Sequence, residues 1–124
     1  MKIFRKDELK KILNPDPREN TYRPEVLTEK DNAFSLGGMF GLLEPNSQVP
    51  YHYHKNRESV LIIISGEAVE VVDGKEYILR EGDIVFLAAM EKHTIKNVSQ
   101  NDVKYIEFYS SPPLNADFVM AEEK

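Results

Sequence analysis

The chain has 124 residues, a formal net charge of −5 and no cysteine. That length supports one hydrophobic core rather than two. The acidic balance argues against nucleic acid or an anionic membrane surface, each of which demands a basic patch. Lack of cysteine removes disulfides and thiolate chemistry, and fits a reducing cytoplasm. Residues 1–13 alternate charge with single apolar residues and lack the apolar stretch of a secretory leader. The longest apolar run, Val60 to Ile64, is too short to span a bilayer. The expectation is a single-domain cytoplasmic protein.

Residues 7–13 predict a short helix. The acids Asp7 and Glu8 lead, Lys10 and Lys11 follow, and Leu9, Ile12 and Leu13 recur at helical spacing. The prolines at 15 and 17 end it, because a residue before proline is pushed out of the helical region. Residues 18–32 are polar, carry Pro24, and predict an arm or loop, so residues 1–32 form an N-terminal helix and arm. From residue 33 the pattern turns to strands: Phe34–Leu43, Val49–His54, Ser59–Ser65, Glu67–Val72, Lys75–Arg80, Ile84–Ala88, Lys92–Asn97 and Val103–Tyr109. Asp73-Gly74 is a strong hairpin signal, and Ser111-Pro112-Pro113 closes the series. Short strands with turns about every ten residues predict an all-β sandwich or small barrel over 33–113. The acidic tail, 114–124, is expected to be peripheral.

All three histidines of the chain fall at 52, 54 and 93. His52 and His54 sit two apart in a predicted strand, so their side chains leave one face. Imidazole binds first-row transition metals as the neutral base. Two imidazoles from one strand, a third from a distant strand and a nearby carboxylate would make an open metal site.

The segments carrying these residues resemble the two motifs of the cupin superfamily. The first motif is glycine, five residues, His-x-His, three or four residues, Glu, six residues, Gly; here stand Asn46, His52, His54, Glu58 and Gly66. The second is glycine, five residues, Pro-x-Gly, two residues, His, three residues, Asn. Gly82, His93 and Asn97 keep its spacing, with Ala88 for the proline and Met90 for the second glycine. The resemblance implies a double-stranded β-helix, or jelly-roll, barrel. It also implies a divalent transition metal (Fe, Mn, Ni, Zn or Cu) on His52, His54, His93 and Glu58.

Glu58 is the point of tension. Seven residues separate it from Gly66, where the motif has six, so counting back from Gly66 puts Ser59 in the carboxylate slot. Either a bulge between Glu58 and Gly66 absorbs the extra residue and Glu58 faces inward, or the site has three histidines and a hydroxyl or water. Gln48 shares strand parity with His52 and His54 and lines the same cavity or faces the surface. Tyr105 or Phe108 forms part of the pocket wall, depending on which face of the last long strand looks inward. The resemblance further implies a homodimer, with the arm around Tyr22–Leu27 adding a strand to a partner. Function is left with two readings: an enzyme on a small oxygenated substrate (dioxygenase, isomerase or lyase type), or a non-catalytic barrel for a sugar or carboxylate.

Overall fold

The computed structural model describes residues 1–5, 21–114 and 116–122. The helix expected over 7–13 lies outside them. Among the described residues the chain forms β1 (Thr21–Tyr22), β2 (Glu25–Leu27), a 3-10 turn at Glu29–Asp31, β3 (Leu36–Leu43), β4 (His52–Tyr53) and β5 (Ser59–Ser65). Then follow β6 (Ala68–Val72), β7 (Lys75–Leu79), β8 (Ile84–Leu87), β9 (His93–Lys96), β10 (Val103–Ser110) and β11 (Val119–Met120). All eight expected strands are present, some with shorter bounds. No described helix is long and apolar enough to cross a membrane.

The strands make two antiparallel sheets. One runs β1-β3-β10-β5-β8, with β2 also paired to β3, and the other runs β11-β4-β9-β6-β7. The two face each other as the double-stranded β-helix. Residues alternate in and out along each strand, and β5 shows it plainly: Ser59, Leu61 and Ile63 are buried, whereas Val60 and Ile64 are exposed. Met39, Leu43, Leu61, Ile63, Val103 and Tyr105 pack from the first sheet onto Ala68, Leu79 and Ile95 from the second. Each such large apolar side chain contributes roughly 1.5–3 kcal/mol on burial.

The glycines of β3 answer to β10, its partner. Gly41 pairs with Tyr105 and Gly37 with Tyr109, and a Cβ at either glycine would overlap the tyrosine ring lying on it. Two large aromatic rings thus pack flat against bare backbone inside the barrel.

Within the chain, β1 pairs with Leu42 and Leu43, and β2 with Gly38 and Met39, all on β3. The expectation of a peripheral tail is corrected. β11 pairs with β4, matching Met120 to His52 and Val119 to Tyr53.

The departures from the motif glycines keep the motif's backbone. Asn46 and Met90 both have positive φ, 64° and 72°, the left-handed conformation that glycine adopts freely. Asn tolerates it through its short polar side chain, whereas methionine is strained there by about 1–2 kcal/mol. Met90 is 60% exposed and gives up little packing if removed. Met90→Gly is therefore expected to raise stability by roughly 0.5–1 kcal/mol, after the extra freedom glycine gives the unfolded chain is subtracted. Denaturant unfolding checks it, and a loss of stability would mean the Met90 side chain is held by contacts that outweigh the strain.

Candidate metal centre

β4 and β9 are neighbours, and their register places His52 opposite His93. His54 follows two residues after His52 on the same side. The ring centroids lie 4.3 Å (His52 to His93), 4.8 Å (His52 to His54) and 5.3 Å (His54 to His93) apart. One ring nitrogen of each lies within 4.8 Å of the other two, and all three residues are buried.

Each ring is oriented by the backbone. Nδ1 of His52 sits 2.6 Å from the Pro50 carbonyl oxygen, Nδ1 of His93 2.9 Å from that of Glu91, and Nδ1 of His54 meets that of Asp117. A carbonyl oxygen only accepts, so Nδ1 carries the proton in each ring and donates. Nε2 is then the free lone pair, the tautomer a metal requires. Burial holds His52 down at about 3, helped by neighbouring His93, and burial holds His93 down at about 4. Burial also lowers His54, with the Asp117 carbonyl partly offsetting it. Three neutral imidazoles with ligand nitrogens within 4.8 Å of one another fit a divalent transition ion.

Of the other expected site residues, some join this cluster and some do not. Glu58 does not: its side chain is exposed, and its backbone pairs with Ser110. Ser59 takes the inward position, 2% exposed, and its Oγ has no hydrogen-bond partner within bonding distance among the described residues. The bulge that could have turned Glu58 inward exists, but further on. Register between β5 and β10 shifts after Ile63, between Tyr105 and Lys104. The extra residue is therefore absorbed beyond the inward-facing run, and Ser59 holds the slot. Gln48 is exposed and bridges Lys96, because a bend at Tyr51 breaks the parity linking it to the histidines. Tyr105 lines the cavity, whereas Phe108 is 40% exposed on the outer face.

The cavity below the histidines is about 20 Å³, room for one water-sized group. Its wall includes residues that sequence reasoning missed: Glu70, Glu107, Arg23, Arg57 and Phe118. Phe118 stacks on His52 with centroids 4.1 Å apart and planes at 16°. Glu107 projects from β10 on the side of Tyr105. Burial pushes it up to about 7, with Arg23 and Arg57 partly opposing. Glu70 on β6 is fully buried, and burial together with nearby Glu107 raises it well above the usual carboxylate range. A signal for both was available: each is a carboxylate on the inward parity of its strand, Glu70 in step with Ala68 and Glu107 in step with Tyr105 and Tyr109.

Residues 39–109 match the family model for the cupin domain. The chain belongs to the cupin family. It is 31% identical over 64 residues to an oxalate-binding protein of Thermotoga maritima, an alignment covering 52% of this chain and 53% of that protein. It is 30% identical over 87 residues to an L-ectoine synthase of Hahella chejuensis, covering 69% of this chain and 64% of that one. The matched region therefore spans less than two thirds of either relative's length. The crystal structure of a conserved double-stranded β-helix protein from Klebsiella pneumoniae superposes with a TM-score of 0.77 at 24% identity, covering 99% of both chains. That likeness shows the fold.

The buried groups set a pH dependence for the metal-free cupin. Depressed histidines favour the native state above their unfolded value of 6.5 and lose that contribution as pH falls toward 4 and below. Glu107, raised from 4.5 to about 7, contributes below 4.5 and loses its contribution as pH rises through 7. The two effects oppose each other between pH 4.5 and 7 and the histidine loss stands alone below that, so melting temperature should fall steeply toward acid and level off above about pH 7. Calorimetry across pH 4–9 measures this, and Glu107→Gln should steepen the rise between pH 4.5 and 7.

Proposed function

We propose that this cupin is a metal-dependent enzyme acting on a small oxygenated organic substrate, with a divalent ion held by Nε2 of His52, His54 and His93. The observation that carries the reading is the convergence of three neutral, backbone-oriented imidazoles on one buried point. Fe, Mn, Ni, Zn and Cu all suit nitrogen donors of this kind. Three protein donors leave coordination positions open, and the bound ion would supply a Lewis acid for a substrate oxygen. The chain's own part is to fix the ring orientations, keep bulk water out with Phe118, and present Glu107 and Glu70 from the wall.

Those two carboxyls favour the enzyme over the second reading, a passive binder of a sugar or carboxylate. One relative is named for binding oxalate and the other for a synthase activity, so kinship supports both. A purely binding cavity has no need of acids in its wall held above the usual carboxylate range, Glu107 at about 7 among them, whereas proton transfer does.

Plasma mass spectrometry of the purified protein tests the centre. Wild type should carry close to one transition ion per chain, and His52→Ala or His93→Ala should lose most of it. Glu58→Gln should keep it, because that side chain lies outside the cluster. Full stoichiometry in both histidine variants would end the reading.

Assembly into a homodimer is the corresponding proposal for quaternary structure. On the outer face of the first sheet, Phe108, Val60 and Phe86 stand in register beside Ile106, Ile62 and Ile84. Ile84 and Phe86 at its edge are 67% and 58% exposed. A second copy burying this patch on itself would satisfy it isologously. Sedimentation should give a dimer that Phe86→Lys shifts toward monomer; a monomeric wild type would refute it.

A further inference from the structure

The two sheets part at one end of the barrel. β7 is the last strand of the second sheet and β8 the last of the first, and each pairs only inward, with β6 and β5. Between these two edges lies a cleft of about 510 Å³, within the range that holds small organic ligands. It is distinct from the cavity under the histidines, which has room for one water-sized group. Val72, Leu79, Val85 and Leu87 give the cleft an aliphatic wall, with the half-exposed Tyr77 beside them. Ile84 and Phe86 also line it, and they belong to the outer face offered above to a second copy.

Acids outnumber bases in this apolar setting. Glu70 and Leu87 line both spaces and so form the wall between them. Glu70 is 2% exposed, and its Oε2 has no hydrogen-bond partner among the described residues. A buried acceptor of this kind costs free energy until a donor reaches it. Asp73 from the turn between β6 and β7 and Glu91 from the loop before β9 line the same cleft, against one cation, Lys75. Neither Asp73 nor Glu91 has an ion-pair partner among the described residues. Three acids to one base, set around an aromatic and aliphatic wall, complement a ligand with an apolar body and a positively charged donor. A carboxylate or phosphate would meet like charge and leave Oε2 without a donor.

We infer that the cleft between β7 and β8 binds a small organic ammonium ion, its apolar body against Tyr77, Val72 and Val85 and its N–H group donating to Glu70 Oε2. The ligand lies beside the histidine centre and not on it. No metal takes part, so the assignment is independent of the metal-centre reading.

Methyl NMR of protein labelled at isoleucine, leucine and valine tests this with three probes that share one aromatic body: 2-phenylethylammonium, 2-phenylethanol and 3-phenylpropionate. The ammonium should shift the methyls of Val72, Leu79, Val85 and Leu87 along a saturable curve. It should bind about tenfold more tightly than the alcohol, as one charge-assisted hydrogen bond provides. The propionate should leave those methyls in place. Glu70→Gln should bring the ammonium to the affinity of the alcohol, and Tyr77→Ala should weaken both. Equal affinity for ammonium and alcohol in wild type overturns the assignment, as does tighter binding of the propionate. Unchanged ammonium affinity in a folded Glu70→Gln protein overturns it too; should that variant fail to fold, the three-probe comparison in wild type decides. Cleft methyls that ignore every probe, or that shift on raising protein concentration alone because a second copy fills the cleft, also overturn it. None of these outcomes depends on whether the protein holds a metal.

Discussion

The site depends on how one buried cation is satisfied. Arg57 is 1% exposed, and among the described residues no carboxylate lies within salt-bridge distance of it. Its guanidinium instead donates to the carbonyls of Ser110, Ser111, Pro113 and Leu114, at 2.8–3.1 Å, and its face lies 4.5 Å over Tyr109. An arginine has five N–H donors in a fixed fork, and leaving any of them unpaired in the interior would be costly. The chain after β10 is therefore obliged to wrap around this one side chain. Asp117 returns the tie, its carboxylate accepting from the backbone N–H groups of Lys55, Asn56 and Arg57.

This reciprocal clamp brings the C-terminal segment to the histidines. The Asp117 carbonyl orients His54, Phe118 stacks on His52, and β11 then pairs with β4. The loop that follows His54 in sequence thus fixes the roof over it from the far end of the chain. Asn97, the last residue of the second motif, plays a comparable part away from the cavity. It is fully buried, its Nδ2 donates to the Leu43 and Asn101 carbonyls, and its Oδ1 accepts from Ser99. It shapes a turn rather than touching a ligand.

The strands, their order along the chain and the histidine set were legible because each rests on a short-range pattern. Alternation marks a strand within five residues, and His52, His54 and His93 announce themselves by spacing. What was not legible depends on where a local irregularity falls. A one-residue excess before Gly66 was visible, but its position was not, and placing the bulge after Ile63 decides that Ser59 and not Glu58 faces inward. The bend at Tyr51 likewise reverses the parity that had linked Gln48 to His52. Arg57, Asp117 and Phe118 were invisible for a different reason: their partners lie more than fifty residues away in sequence. Only the folded barrel brings those segments together.

Charge balance gives the departures from the motif a common cause. Three imidazoles contribute no charge, and Ser59 in the carboxylate slot contributes none, so a bound divalent ion would keep its full charge in a low-dielectric cavity. Charge in such surroundings has to be offset nearby or it is not held. The acids available in the wall of the same cavity are Glu107 and Glu70. Without an ion those same carboxyls are driven toward the neutral form by burial and by each other. A serine where the motif has glutamate and two acids where a barrel would otherwise have apolar residues are thus one arrangement. Charge to compensate a bound ion would have to come from these two acids in the cavity wall rather than from a carboxylate in the motif position.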